Sequence, residues 1–320
     1  MNSQTKLIVS HAPFLHNGSG IAGRQLNIIC AALPAALLGG VFRFGIPAIG
    51  VVCLAVSTAM LWELAMNKAM KRSVSIGDGN AALIGLLFAM MLPATAPWWL
   101  VITGTFVAIV VGKQIFGGIG GNAFNPVALA IAILMVSWKD YFDFNAMLAN
   151  YSTDFPMAYP LAALKNFGAG GIDQYSIGDF LIGRQAGGIG ATFGIGLILG
   201  GLYLIARGFI RWEIPVSYLA GVFITAFLFN QIDPARYADP FFHICTGYTL
   251  IGAFFLATED SSSPVNAVPM LIYGAAGGLM TVLIRNIGAY IDGTVLAVLL
   301  INLINPLLDK IRPKAMGKAV

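Results

Sequence analysis

Charged side chains are scarce in this chain. Asp, Glu, Lys and Arg supply 10% of its 320 residues, whereas hydrophobic residues supply 58%, and the mean hydropathy is +0.81. One soluble core could not bury so much apolar surface, so a soluble globular domain is excluded. The composition predicts an all-α polytopic membrane protein that lies in the lipid bilayer.

Histidine and cysteine are also scarce, with three of each. Cys30, Cys53 and Cys245 lie in apolar runs without a C-x-x-C pair, and no histidine stands at the spacing of a haem or zinc ligand. We therefore expect no metal, haem or iron–sulfur cluster. The chain also has no basic stripe with interleaved aromatic residues, which argues against nucleic acid as a partner.

Long apolar runs follow one another along the sequence. One crossing needs about 20 predominantly apolar residues. The sequence predicts ten transmembrane helices near 26–44, 46–66, 80–97, 98–116, 124–138, 187–206, 214–231, 244–258, 264–284 and 291–308. Residues 1–20 are polar and lack the apolar stretch of a signal peptide, so we expect no processing.

The basic residues predict an orientation. If the N-terminus is cytoplasmic, twelve of the eighteen Lys and Arg residues fall on the cytoplasmic side, in an N-terminal segment (1–25), short connections and a tail (309–320). The longest connection, 139–186, then faces the outside. We expect a multi-pass protein of the inner (cytoplasmic) membrane with both termini in the cytoplasm.

Two parts of the chain resemble each other. The stretch "NAALIGLLFAMMLPATAP" (80–97) echoes "GYTLIGAFFLATEDSSSP" (247–264), and "GGIGGNAFNP" then falls beside "RNIGAYIDGT" at about the same offset. Each half, 26–138 and 187–308, would hold five spans. Because five is odd, the second half must be inverted relative to the first, which predicts two inverted five-helix repeats with broken helices.

The stretch "GKQIFGGIGGNAFNP" (112–126) interrupts two apolar runs with five glycines, two asparagines and a proline. Irregular backbone is tolerated in a membrane where it lines a site or is buried in protein. Asn122 and Asn125 each offer an acceptor and a donor, as the edge of a flavin or quinone requires. Alternatively, the glycines pack helices and the asparagines cap the span that begins at Pro126.

Four stretches carry a family resemblance: "GKQIFGGIGGNAFNP", "DGNAALIGLLFAMMLPATAPWW", "LIGAFFLATEDSSSP" and "LIRNIGAYIDGTVLAVLLINLINPLLD". Together they resemble the D subunits of Rnf electron-transport complexes, which are similar to the B subunits of sodium-pumping NADH:quinone reductases. The resemblance implies a flavin-carrying subunit of a complex that couples electron transfer between ferredoxin and NAD+ to Na+ or H+ translocation. Its partners would be the A, B, C, E and G types of Rnf subunit, and it would not be catalytic alone.

The resemblance also implies a cofactor site. In this family the asparagines of the N-x-x-N-P element contact non-covalently bound riboflavin, which transfers to Asn122 and Asn125. Gly120 and Gly121 are then the positions where the flavin approaches the backbone closely.

A second flavin of the family is absent from this expectation. The family joins FMN to a threonine in a D-x-x-[ST]-G-A-T motif before Pro-Leu, in the connection after the fifth span. Here the matching place reads "STDFPMAYPLAALK", with Tyr159 at the acceptor position and Met157 at the motif glycine. We expect no covalent FMN there. Thr192, at the end of "GGIGAT", and Thr153 are alternative acceptors that lack the rest of the motif.

Without that FMN, electrons would have to pass to a carrier on a partner. The candidates are the G-type subunit and an extracytoplasmic redox protein that docks on the 139–186 connection. Tyr151, Tyr159 and Tyr175 are expected to offer that partner aromatic contacts.

Acidic residues near span ends are candidates for ion coupling, because charge in a membrane is costly and is usually retained for a function. Asp260 and Asp292 are the main candidates. For Glu63 the alternative is an ion pair with Lys68, one turn away. For Asp78 the alternative is capping of the helix that follows.

Two functions from different classes remain open. The first is the flavin-carrying role in an Rnf-type complex. The second is a cofactor-free solute channel or transporter of the urea-channel-like type, because such folds also contain five-plus-five inverted repeats.

Overall fold

The structure is a computed structural model that describes residues 20–149, 151 and 158–311. Every regular element in these ranges is helical. The α-helices are α1 (Gly20–Pro34), α2 (Phe42–Phe44), α3 (Ile46–Ala69), α4 (Asn80–Met91), α5 (Trp98–Phe106), α6 (Pro126–Ser137), α7 (Phe144–Met147), α8 (Pro160–Phe167), α9 (Ile177–Ile182), α10 (Gly194–Ala206), α11 (Glu213–Ile232), α12 (Pro240–Cys245), α13 (Thr249–Ile251), α14 (Ala267–Asn286) and α15 (Thr294–Leu308). π-helical turns cover Ala35–Val41, Val107–Gln114 and Gly252–Leu256, and 3₁₀ turns cover Ile76–Asp78, Lys139–Phe142 and Ala169–Ile172.

The predicted terminal segments fall largely outside the described ranges. Residues 1–19 of the predicted N-terminal segment, residues 312–320 of the predicted tail and the candidate acceptor Thr153 are not described. Helix α1 already begins at Gly20, six residues before the predicted first span.

Four helical stretches are long and apolar enough to cross a membrane: Gly20–Phe44, Ile46–Ala69, Glu213–Ile232 and Ala267–Asn286. The shorter apolar helices are Asn80–Met91, Trp98–Gln114, Pro126–Ser137, Gly194–Ala206 and Thr294–Leu308. At about 1.5 Å per residue, a 12-residue helix such as α4 covers only part of a hydrocarbon core about 30 Å thick. The architecture is that of a polytopic membrane protein, and the number of crossings stays a prediction.

Two predicted spans are longer than the helices found there. The span predicted over 80–97 ends as a helix at Met91, and the one predicted over 187–206 begins as a helix only at Gly194. The residues in between pair with each other: the amides of residues 189–191 donate to Met90 O and Leu92 O at 2.9–3.1 Å. The last carbonyls of α4 are thereby satisfied by protein backbone where lipid could not satisfy them.

The span predicted over 244–258 is a broken helix. Helix α12 ends at Cys245, α13 begins at Thr249, and a π-helical turn continues to Leu256. The break at residues 246–248 contains Gly247, whose φ of +64° is a conformation that side chains other than glycine rarely adopt. A Cβ there would also meet the carboxylate of Asp292.

Helix α4 lies at the centre of the first half. Every residue from Leu83 to Met91 is buried, so the helix has no lipid-facing side. A helix that is apolar all round is typical of such a central position. It packs against α1, α3 and α6, and at Gly85 it approaches α3 so closely that a Cβ would lie 2.7 Å from Ala55 O.

Helices α11 and α14 pack through glycines. A Cβ at Gly274 would lie 2.5 Å from Ile214 O, and one at Gly278 would lie 2.6 Å from Val222 N. These contacts are to backbone, which cannot move aside as a side chain can. The glycines therefore permit the backbone contact that holds the two helices together.

Replacing Gly278 by leucine is expected to destabilise the fold, because the added side chain must separate α11 from α14. Overpacking of this kind costs about 1–3 kcal/mol. The thermal unfolding midpoint in detergent measures the effect. Gly50→Leu is the matched control, since a Cβ at Gly50 meets no atom within 4 Å. Equal midpoints for the two variants would contradict this description of the interface.

Candidate functional site

A cavity between the two halves brings together most of the predicted site residues. Gly120, Asn122 and Asn125 line it from the first half. Phe254, Phe255, Thr258 and Glu259 line it from the broken helix of the second half. Gly121 lies elsewhere: a Cβ there would meet Phe116 O at 2.5 Å, so this glycine permits the local turn.

Asn125 caps α6. Its Oδ1 accepts a hydrogen bond from Ala128 N at 3.0 Å, which satisfies a free amide in the first turn of the helix. Its Nδ2 donates to Leu256 O at 3.1 Å, at the end of the π-helical turn, and its backbone N donates to Asn302 Oδ1 at 2.9 Å. The capping role that the sequence left open is therefore present, and one hydrogen of Nδ2 stays available.

Asn122 is held by the second half of the chain. Its Nδ2 donates to Glu259 Oε1 at 2.6 Å and to Phe124 O at 3.0 Å, which uses both amide hydrogens. Ser262 Oγ donates to the other carboxylate oxygen of Glu259 at 2.6 Å and so fixes that carboxylate. Asn122 Oδ1 accepts no hydrogen bond from any residue that the structure describes. The two asparagines thus leave one acceptor and one donor at the cavity that both line.

A buried ion pair lies next to this cavity. Lys113 Nζ is 2.9 Å from both carboxylate oxygens of Glu63, and the side chains of Lys113 and Glu63 are 2% and 0% exposed. Ser75 Oγ donates to Glu63 Oε1 at 2.5 Å, and Asn67 Nδ2 donates to that hydroxyl at 2.8 Å. Lys113 also lines the cavity, so a positive charge that is fully hydrogen-bonded stands beside the asparagines.

The predicted pair between Glu63 and Lys68 is wrong. Five residues on an α-helix correspond to a rotation of roughly 140°, so the two side chains lie on different faces. Glu63 faces the interior together with Ala59 and Asn67, whereas Lys68 is exposed. The expectation for Asp78 is met: its Oδ1 accepts from Asn80 N at 2.8 Å, at the start of α4.

The two ion-coupling candidates lie in different clusters. Asp260 forms an ion pair with Arg24, and both line the cavity beside Asn122. Arg24 also donates to Phe209 O at 2.6 Å, so it ties α1 to two connections of the second half. Asp292 lies with Arg285, and neither residue lines that cavity.

Asp292 is the centre of a buried hydrogen-bonded cluster. Its Oδ1 lies 3.0 Å from Arg285 Nη2 and accepts from Thr294 N at 2.9 Å, and its Oδ2 accepts from Tyr248 N at 2.7 Å. Arg285 Nη1 donates to His243 O at 2.8 Å. The pair thereby joins the end of α14, the start of α15 and the break between α12 and α13.

Tyr159 and Thr192 are both buried, and they lie on either side of Gly187. A Cβ at Gly187 would be 2.7 Å from Thr192 Cγ2 and 3.9 Å from Tyr159 Cε2. The Tyr159 ring packs on Phe144 with ring centroids 5.0 Å apart. The expectation that Tyr159 offers a partner an aromatic contact is wrong, because only 3% of the residue is exposed. Tyr151 and Tyr175 are more exposed.

Lys113, Glu259 and Asn302 are contacts of the site that sequence analysis missed. Each is a single polar residue in or next to an apolar run, which is the available signal for a functional or structural role in a membrane protein. That signal could have drawn attention to each residue. It could not have predicted the pairings, because the partners are 50 to 177 residues apart.

Comparison with known proteins decides the family. The chain matches the NQR2, RnfD, RnfE family over residues 8–317. It belongs to this family. The resemblance to the D subunits of Rnf complexes is thereby confirmed.

Three relatives match most of the chain, and each is the D subunit of a complex. The chain is 36% identical over 310 residues (96% of this chain, 94% of the relative) to that of the Na(+)-translocating ferredoxin:NAD(+) oxidoreductase complex of Acetobacterium woodii. It is 37% identical over 292 residues (88% and 87%) to that of the proton-translocating ferredoxin:NAD(+) oxidoreductase complex of Clostridium ljungdahlii. It is 33% identical over 347 residues (97% and 98%) to that of an ion-translocating oxidoreductase complex of Pectobacterium carotovorum. These family members carry names for both Na+ and proton translocation at nearly equal identity.

Proposed function

We propose that this chain is the D-type, flavin-carrying membrane subunit of an Rnf-type complex. The complex would couple electron transfer between ferredoxin and NAD+ to the translocation of Na+ or H+, together with the A-, B-, C-, E- and G-type subunits. Full-length similarity to D subunits of such complexes supports this proposal. The relatives' names differ in the ion, so the proposal does not extend to the choice of ion.

The proposal includes the arrangement in the membrane. Ten spans in two inverted five-helix repeats, with both termini in the cytoplasm, account for the broken helices at α4 and at α12–α13. Under this arrangement the cavity with Asn122 and Asn125 lies toward the cytoplasmic side, and the cluster around Asp292 lies toward the outer side. Asp260, which pairs with Arg24 at the cavity, is then the better placed of the two candidates for ion coupling.

One observation carries the flavin part of the proposal. Asn122 Oδ1 and one hydrogen of Asn125 Nδ2 are an acceptor and a donor at the same cavity. The polar edge of a riboflavin ring carries N–H and C=O groups that need both. Phe254 and Phe255 supply the apolar side of the cavity. When bound, riboflavin would supply the electron-carrying chemistry, while these residues would hold and orient it.

No flavin is proposed at the covalent position. Tyr159 and Thr192 have buried hydroxyls, and Thr192 Oγ1 donates to Gly188 O. An enzyme that transfers FMN would have to open the packed structure to reach either group. Electrons would then pass to a carrier on the G-type subunit or on an extracytoplasmic redox protein.

The test is the flavin content of the purified chain and of Asn125→Ser. Serine keeps the oxygen that caps α6 but removes the Nδ2 donor, so the variant should fold yet bind riboflavin roughly tenfold or more weakly. Absorbance and fluorescence of flavin released by denaturation measure the bound fraction. Asn122→Leu should behave alike, and Asn27→Leu, outside the cavity, is the control.

The outcomes separate the two functions. Riboflavin that is released on denaturation and lost in Asn125→Ser supports the proposal. A folded wild-type chain without flavin would overturn it and favour the cofactor-free channel or transporter. Flavin that stays on the denatured chain in a gel would overturn the proposal for Tyr159 and Thr192.

A further inference from the structure

A polar cleft lies at the end of the molecule opposite to the asparagine cavity. It has a volume of about 410 Å³ and is formed by α8, by the turn at residues 233–237 and by the segment that follows α14. The turn and α8 are joined by a hydrogen bond from Ala169 N to Ala235 O at 2.9 Å. The flavin proposal uses none of the residues that line this cleft.

The cleft carries positive charge without a carboxylate. Lys165, Arg236 and Arg285 are among its lining residues, and no Asp or Glu is among the described residues that line it. Arg285, at the floor, is compensated by Asp292, so the net charge comes from Lys165 and Arg236. Neither of these two forms an ion pair with a described residue. A ligand with a negative charge would therefore be attracted to the cleft.

Hydrogen-bond donors in the cleft stay available. Lys165 Nζ donates to Gly288 O and Tyr290 O at 2.7 Å each, which leaves its third hydrogen free and covers carbonyls that would repel an anion. The Arg236 guanidinium lies 5.4 Å from the centre of the Tyr237 ring on the exposed side. Asn286 Nδ2 is buried and has no partner among the described residues. A group with several acceptor oxygens would satisfy these donors.

The position of the cleft indicates what carries that group. Helices α11 and α14 are two of the stretches long enough to cross a membrane, and they end beside the cleft, at Ile232 and Asn286. Ile232 and Ile287 are largely exposed and apolar, as expected at the edge of the hydrocarbon layer. The cleft is therefore at the level of lipid headgroups, where basic pockets bind anionic lipids.

We propose that this cleft binds the phosphate group of an anionic ligand through Lys165, Arg236 and Asn286. An anionic phospholipid headgroup and free phosphate share this chemistry. A headgroup fits the apolar lining residues Leu161 and Ile291 as well, because they would contact the part of the lipid next to the phosphate.

Thermal unfolding of the purified full chain in a neutral detergent tests the proposal, because a ligand that binds the folded state raises the unfolding midpoint with concentration. Three probes are titrated: short-chain phosphatidylglycerol, short-chain phosphatidylcholine and inorganic phosphate. The wild-type chain is expected to be stabilised by phosphatidylglycerol and not by phosphatidylcholine. Stabilisation by inorganic phosphate at similar concentrations would support the same site with free phosphate as its ligand.

The variants assign the effect to the cleft. Arg236→Gln and Lys165→Met are each expected to weaken binding about tenfold, the usual effect of losing one hydrogen bond from a charged group. Arg236 is exposed, so Arg236→Gln should fold even if Lys165→Met does not. Arg184→Gln changes an exposed arginine outside the cleft and should bind as the wild type does. The proposal is overturned if no anionic probe stabilises the chain, or if Arg236→Gln binds as tightly as Arg184→Gln.

Discussion

Replacing Lys113 by methionine is expected to destabilise the folded chain by about 3–5 kcal/mol, the effect of removing one partner from a buried ion pair. Glu63 is 0% exposed, and Lys113 Nζ contacts both of its carboxylate oxygens at 2.9 Å. Without the ammonium group the carboxylate would keep only the Ser75 hydroxyl as a partner. A buried carboxylate without a compensating charge is costly, so the folded state must lose stability.

Unfolding in detergent, followed by thermal midpoint or by denaturant titration, measures this loss. Glu63→Gln combined with Lys113→Met should recover much of the stability, because it removes the unpaired charge. Lys68→Met is the matched control, since Lys68 is exposed on the same helix as Glu63. A Lys113→Met chain as stable as Lys68→Met would contradict a buried, charged pair.

Asp292→Asn is expected to have a similar effect, about 3–5 kcal/mol, because it leaves the Arg285 guanidinium buried without its counter-charge. The side chains of Arg285 and Asp292 are 2% and 3% exposed. The asparagine would also provide one acceptor oxygen where the carboxylate uses both, for Thr294 N and Tyr248 N. The effect should therefore reach the break between α12 and α13.

The same experiment separates a structural role of Asp292 from a role in ion coupling. A structural role predicts a lower unfolding midpoint, with partial recovery when Arg285→Met is added. A role in coupling alone predicts an unchanged midpoint and lost ion translocation by the assembled complex. Asp173→Asn, at an exposed aspartate, is the control. An Asp292→Asn midpoint equal to that of the control would rule out the structural role.

The candidate site could be predicted in part. A glycine-rich, asparagine-containing stretch between apolar runs identified Asn122 and Asn125, and the structure places both at a cavity with Gly120. The exact use of each amide could not be predicted, because a side-chain hydrogen bond depends on residues far along the chain. Asn122 donates to Glu259, 137 residues away, and Asn125 is held by Leu256 and Asn302.

The ends of the helices show a similar limit. Apolar length alone predicted continuous spans over 80–97 and 187–206, whereas α4 ends at Met91 and α10 begins at Gly194. The irregular backbone between them is stable because residues 189–191 donate to the end of α4. Hydropathy reports how apolar a segment is, and it does not report whether a distant segment supplies its hydrogen bonds.

The sequence by itself determined that this is a helical membrane protein of the family and which stretch contains the asparagines, because composition and local motifs depend only on residues close together in the chain. Only the tertiary structure decided that Glu63 pairs with Lys113, that Asp292 pairs with Arg285 at another cluster, and that Tyr159 is buried. Each of these depends on how helices pack. A charge in a membrane protein takes the partner that packing brings within hydrogen-bond distance, whatever their separation in sequence.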